Sequence, residues 1–435
     1  MNIRFYEWAE LTERERAQIL ARSEQDIESV RENVRAITEG VRNGGDAALR
    51  EYTARFDGVE LGDRPIAVSA QEFDAAAGFI SDEVRAAVEF AVDNVFRAHE
   101  AQLDRSLRTT EVRPGVYAGE RAGPIPSAGL YVPHGRGSFP SMLYMLAVPA
   151  RVAGVEHVAV VTPPSPDGSV DPACLYAARY CGVDTVYRIG GAQAVAALAY
   201  GTESVAAVSK IVGPGSSYVA AAKREVAGIV DTGLPAGPTE SIVLADRHAD
   251  PWKVSLDLMV EAEHGSDSQA ILVTPSLPLA EAVREILPEL VAEAPEPRRG
   301  FLEDVFSGYG GIIKSETLEE AAEIVNAFAP EHLQIQTREP YEVLGLIRHA
   351  GEILLGEHSV FSLANYATGA NAVLPTGGNA RTWSPVSVRD FVKYSSIVHV
   401  TAGGYHELRD HVIALADYEG FHSHAQALRR REESP

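Results

Sequence analysis

The stretch HVAVVTPPSPDGSVDPACLYAARYCGVDTVYRIGGAQAVAALAYG, residues 157–201, sets the fold class of the chain. Its short β-rich runs, HVAVVTP and TVYRI, alternate with helical sequence that includes the alanine-rich AQAVAALAYG. Outward from this stretch the pattern starts at GLYVP, near residue 129, and continues through KIVGPG and the helical SSYVAAAKREVAG. A second series follows: ESIVLAD, QAILVTP, GGIIKS, HLQIQT and GEILLG, again with helices between. Such alternation marks a mostly parallel sheet covered by helices, and two series predict an α/β protein with two doubly wound domains. The chain before residue 129 reads as helices, in TERERAQILARS, IESVRENVRAITEGVRNGGDAALREYTARF and DEVRAAVEFAVDNVFRAHEAQ. After PTGGNARTWSPVSVRDF a smaller unit closes the chain with an arginine-rich tail.

Sheets of this kind bind ligands outside the carboxyl ends of their strands. The dinucleotide fingerprint GxGxxG is missing. Three glycine loops, RIGGAQAV (188–195), VGPGSSYV (212–219) and LPAGPTES (234–241), could each bring backbone amides to a phosphate, or be tight strand-to-helix turns.

The 435 residues suffice for two or three domains with sizeable cores. A formal net charge of -23 argues against general nucleic-acid or membrane-surface binding, because either partner would repel the chain. The first twenty residues lack the apolar core of a signal peptide, and no apolar run approaches membrane-spanning length, so the expected location is the cytoplasm. Cys174 and Cys181 then read as reduced structural thiols, and the absence of CxxC excludes a thiolate metal cluster.

The segment VEAEHGSDSQ, residues 260–269, holds Glu261, Glu263 and His264 at the end of a helix expected to begin at Asp250–Pro251. Glu261 and His264 are three apart and share a face, while Glu263 points elsewhere. They read as a salt-bridged helix end or as half of a metal shell. In APEHLQI, Glu331 and His332 stand where a helix meets a strand, a carboxylate beside an imidazole suited to general-base work. His422 and His424 in EGFHSHAQ are either ligands or solvated, and His134 in YVPHGRGSFPS lies at a strand exit.

These motifs occur together in a known order. GLYVP, GGAQAVAALAYG, KIVGPG, AGPTES, EAEHGSDSQ, PEHL, YATGANAVLPT and the terminal EGFHSH resemble the histidinol dehydrogenases over nearly the whole chain. The resemblance implies a homodimer with shared active sites, two Rossmann-like domains, zinc, NAD, and oxidation of a primary alcohol through an aldehyde to a carboxylate. It gives His332 the role of general base and Glu331 that of activating water. It makes His264 a zinc ligand, His424 a zinc ligand supplied by the other subunit, and Glu419 a substrate contact from that subunit. Tyr131 and Gln193 match NAD contacts.

The departures are informative. Glu261 stands where the family has a glutamine ligand, and Asn365 where it has an aspartate, so the ligand set still holds one carboxylate and one amide. Both offer oxygen to zinc. Ser216 replaces an asparagine in the nucleotide loop, Thr239 a serine, and Ala372 a histidine expected near the substrate. His134 and Arg136 are additions; Arg136 could meet an anionic substrate group or remain solvated.

The expected organisation is an N-terminal helical segment (1–27), a first Rossmann-like domain (28–130 and 239–383), an NAD-contacting second one (131–238), and a dimer-swapped C-terminal helical segment (384–435). The expected reaction is the oxidation of L-histidinol to L-histidine. The alternative is a paralogue acting on another small polar alcohol, such as a sulfonated diol or an amino alcohol. A zinc hydrolase using Glu331-activated water would leave Tyr131 and Gln193 without a role, and a silent binding protein would have no need of Glu331, His332, His264 and His424.

Overall fold

The β-rich runs form strands whose length and burial follow from their composition. The computed structural model describes residues 3–20, 27–103, 107–134 and 137–431. Glu240–Ala245 is buried at every position, and its side chains alternate between two cores. Val243 and Ala245 join Leu258, Leu272 and Phe306 on one face, while Ile242 and Leu244 join Ile271, Phe328 and Leu333 on the other. A strand covered on both faces shows no polar alternation, which is why its sequence reads as one apolar run.

Two parallel sheets result. The larger has the order Phe5–Glu7, Gly311–Lys314, Gln269–Thr274, Glu240–Ala245, His332–Gln336, Glu352–Leu355. The smaller has the order Thr185–Tyr187, His157–Val161, Ser127–Tyr131, Lys210–Val212. In each, the winding reverses beside the first strand of its α/β series, the doubly wound topology. The edge strand Phe5–Glu7 pairs in parallel with Gly311–Lys314 and places a strand in the N-terminal segment expected to be helical. Three residues are too few for periodicity to reveal them.

The chain forms two compact units, residues 1–102 with 125–391 and residues 103–124 with 392–435. Within the larger unit, Val34, Ile37 and Val41 of the helix Ile27–Tyr52, and Leu49 beyond its kink at Gly45, share a core with Tyr131, Val161 and Val195. Residues 30–66 therefore pack with the smaller sheet, a different grouping from the expected 28–130 with 239–383. The cause is the apolar stripe of this helix, which matches the alanine-rich face of the helix Gly191–Tyr200.

The smaller unit holds an antiparallel sheet, with Val116–Pro124 between Leu107–Arg113 and Val392–Val400, and the helices Ala402–Tyr418 and His422–Arg429. It begins at 392 rather than 384, and it is not purely helical. Val392–Val400 is half-buried or exposed throughout, so no buried face marked it in the sequence. Among the described residues no helix is long and apolar enough to cross a membrane.

Candidate active site

The helix Pro251–Ala262 begins as its sequence predicts, with the Asp250 carboxylate accepting from Trp252 N at 2.9 Å and proline in the first turn. It ends at Ala262, with Glu263 as its exposed cap. Glu261 lies in the last turn and is 0% exposed, because Val254, Leu258 and Ala262 bury the same side of the helix. His264 folds back so that its Nδ1 is 3.3 Å from Glu261 Oε2. Asn365, on the short helix Phe361–Tyr366, donates its amide to Glu261 Oε1 at 2.7 Å. Thr239 Oγ1 lies 3.3 Å from His264 Nδ1. The structure thus gathers Glu261, His264, Asn365 and Thr239.

His332 faces the same cluster. It is the first residue of its strand and 3% exposed, and its Nε2 is 3.9 Å from both Glu261 Oε2 and Glu331 Oε1. Phe361 meets the ring edge-on at 5.7 Å between centroids. Glu331 Oε2 accepts from Glu240 N at 3.0 Å, and Glu240 Oε1 accepts from Gly377 N at 3.0 Å. Glu352, which sequence reasoning overlooked, bonds His332 Nδ1 through Oε2 at 3.0 Å. Its signal was a lone acid opening the apolar run GEILLG.

This cluster sits at the amino ends of the larger sheet's strands, opposite to the expected carboxyl ends. Strand starts present unpaired backbone N–H groups, and carboxylates such as Glu331 satisfy them. Burial disfavours a charged His332, but Glu261, Glu331 and Glu352 outweigh it and raise its pKa well above the ordinary range. Burial raises Glu331, against the pull of His332. Burial alone would raise Glu261, yet the two imidazoles and the Asn365 hydrogen bond hold it low, so it is a carboxylate.

The glycine loops at 188–195 and 212–219 follow the carboxyl ends of smaller-sheet strands, whereas the third, at 234–241, leads into Glu240–Ala245 of the larger sheet. Tyr131 and Gln193 point inward rather than presenting a surface. The Tyr131 hydroxyl accepts from Gly191 N at 2.9 Å, and burial pushes its pKa up to about 12. Gln193 is buried, and its Nε2 has no hydrogen-bond partner among the described residues. Gly213 has a φ of 124°, and a Cβ there would stand 2.2 Å from the Tyr131 carbonyl oxygen, so the loops at 131 and 213 are in backbone contact. Buried Lys223 donates to Gly213 O at 3.0 Å, and burial lowers its pKa to about 8. Ser216, exposed, precedes the helix Ser217–Val226, and His134 is half-buried. A cavity of about 1080 Å³ is lined by Gly213, Lys223, Arg224, Glu240 and Trp383. Arg136 lies outside the described residues.

Glu419 and His424 belong to the smaller unit, where both are exposed. Glu419 caps the helix Ala402–Tyr418, and the His424 ring lies 5.2 Å from that of Phe421.

Comparison with known proteins shows the family to which the chain belongs. The sequence model of the histidinol dehydrogenase family matches residues 20–432. A histidinol dehydrogenase homolog of Rhizobium meliloti (strain 1021) is 50% identical over 428 residues, 98% of this chain and 94% of that protein. The histidinol dehydrogenase of a Synechocystis species is 48% identical over 429 residues, 99% of both chains. The crystal structure of histidinol dehydrogenase from Elizabethkingia anophelis superposes with a TM-score of 0.94 at 33% identity, covering 99% of this chain and 98% of that one. With its family model matched across nearly its whole length and both Rossmann-like sheets in place, the chain belongs to the histidinol dehydrogenase family, a family of oxidoreductases.

Proposed function

We propose that this chain is a zinc-dependent, NAD-linked dehydrogenase that oxidises a primary alcohol through the aldehyde to the carboxylate, with L-histidinol as its substrate. The observation that carries the reading is the convergence of Glu261, His264 and Asn365 on one side of the buried Glu331–His332 pair.

The donor set suits a metal. Among the described residues Glu261 Oε2 is buried without a hydrogen-bond partner, and an imidazole nitrogen stands 3.3 Å from it. A buried carboxylate oxygen that accepts no hydrogen bond is costly even beside an imidazole, and a divalent cation would satisfy it. Among the described residues no group of three or more His, Cys, Asp or Glu is arranged to hold a metal. The shell therefore draws on the Asn365 amide oxygen and on a further histidine, the role that the resemblance gives to His424. Zinc, when bound, supplies Lewis acidity to the alcohol oxygen, and NAD, when bound, accepts the hydride.

The chain's own groups then have definite tasks. His332 Nε2 faces the cluster and in its neutral form takes the hydroxyl proton, and the carboxylates around the ring stabilise the imidazolium that results. Glu331 is held by Glu240 N through one oxygen, which leaves Oε1 on the His332 side to orient water for the second oxidation. Tyr131, Gln193 and Ser216 shape the NAD loops, two of them from inside. Thr239, Glu419, His134 and Arg136 are assigned to the substrate. Exposed Val412, Leu415, Tyr418 and Phe421 in the smaller unit support a homodimer in which that unit reaches the partner's site.

A pair of variants tests the assignment. His332→Ala should abolish hydride transfer with zinc still bound, and His264→Ala should lose the metal. Turnover retained in His332→Ala would overturn the role of the base.

A further inference from the structure

We infer that Glu352 is a positioning residue that fixes the orientation and the proton of His332, so that Nε2 alone faces the reaction. The inference rests on the reading of His332 as the base.

The geometry begins with strand register. His332 and Glu352 are the first residues of neighbouring parallel strands and direct partners in the pairing, so their side chains leave the same face of the sheet side by side. The contact is 3.0 Å, from Nδ1 to Oε2, with both side chains buried. A carboxylate only accepts hydrogen bonds, so Nδ1 must carry its hydrogen, and in the neutral ring the lone pair falls on Nε2. Nε2 has no comparable partner among the described residues: Glu261 and Glu331 are each 3.9 Å away, beyond hydrogen-bond reach. Phe361 bounds the ring edge-on. The imidazole is thus held on one nitrogen and open on the other.

A purely structural role explains less. The two strands are already joined by their backbone, with Glu352 N donating to Glu331 O at 2.8 Å. Glu352 Oε1 is buried without a hydrogen-bond partner among the described residues, a cost that an apolar residue at the strand start would avoid. A carboxylate has its use once Nε2 takes the hydroxyl proton: the proton stays on the imidazole, and Glu352 keeps its charge and stabilises the cation.

The test compares Glu352→Gln, nearly the same in shape, with Glu352→Ala, His332→Ala and the double variant His332→Ala/Glu352→Gln, all zinc-loaded and full length. With L-histidinol and NAD, the glutamine variant should lose kcat by about 10²- to 10⁴-fold. KM and bound zinc should stay near wild type, and the substitution should add no loss in the His332→Ala background. Histidine-selective 15N spectroscopy reads the same point without turnover. The Nδ1 signal absent from His332→Ala should show an attached proton in the wild type and shift in Glu352→Gln. Wild-type kcat in Glu352→Gln, a further loss in the double variant, or an unprotonated Nδ1 would overturn the inference. Turnover surviving in His332→Ala while Nδ1 is protonated would instead defeat the reading of the base and leave the positioning contact intact.

Discussion

Replacing Gly351 with alanine should disable the enzyme without touching any charged group. Gly351 immediately precedes Glu352 on the chain and crosses behind Glu331. A Cβ at 351 would stand 2.6 Å from the Glu331 carbonyl oxygen and 3.3 Å from Pro375 Cδ. The first neighbour is backbone and cannot rotate away. To reach the 3.4 Å at which ordinary contact begins, the two backbones must separate by about 0.8 Å. That separation pulls at the 2.8 Å bond from Glu352 N to Glu331 O and shifts Glu331, His332 and Glu352 against one another. A misplacement of about 1 Å costs on the order of 10²-fold in rate, and overpacking costs about 1–3 kcal/mol of stability. Gly351→Ala should therefore lower kcat by roughly 10²-fold, with a reduced melting temperature and zinc still bound through Glu261 and His264. The assay is steady-state NADH formation beside thermal unfolding and metal analysis of the same preparation. An alanine variant with unaltered kcat would refute the claim that this strand crossing sets the geometry of the acid–base pair.

Other expectations follow from burial. Burial raises the Asp257 pKa from 3.8 to about 6, against hydrogen bonds from Gln334 and Gln336. The folded state thus binds more protons than the unfolded state between those values, and stability falls as pH rises through that window. Asp257→Asn should be stabilising above the window by at most on the order of 3 kcal/mol, with no difference below it; a melting-temperature difference that does not grow with pH would contradict this. Truncation before residue 419 should weaken zinc binding and remove activity, since it deletes Glu419 and His424; a fully active truncated chain, or a fully active monomer, would show that the site is complete within one subunit.

The sequence exposed those parts of the fold whose physics is local. Strands buried on both faces appear as apolar runs such as QAILVTP, and Asp250–Pro251 announces a helix start because capping involves residues two apart. The Glu261–His264 contact is local too, made by a turn just past the helix end that folds His264 back over three residues. What stayed hidden depends on pairing between distant segments. Glu352 meets His332 only because two strands twenty residues apart align in register, and a one-residue slip would point it to the other face. The attachment of the helix Ile27–Tyr52 to the smaller sheet depends on matching surfaces, not on position along the chain. The inward direction of Tyr131 was invisible for a similar reason. A strand-end tyrosine reads as a ligand contact, whereas here its hydroxyl holds the turn at Gly191. The exposed strand Val392–Val400 carries no burial signal at all.

The most direct test of the central claim is NADH formation by the purified, zinc-loaded chain supplied with NAD and L-histidinol, beside a chelator-treated control. The account predicts turnover that the chelator removes and added zinc restores, with Glu261 and Asn365 serving in their exchanged roles. No turnover from protein that binds zinc stoichiometrically would contradict L-histidinol as the substrate and turn the search to other small polar alcohols; turnover indifferent to chelation would contradict the metal site itself.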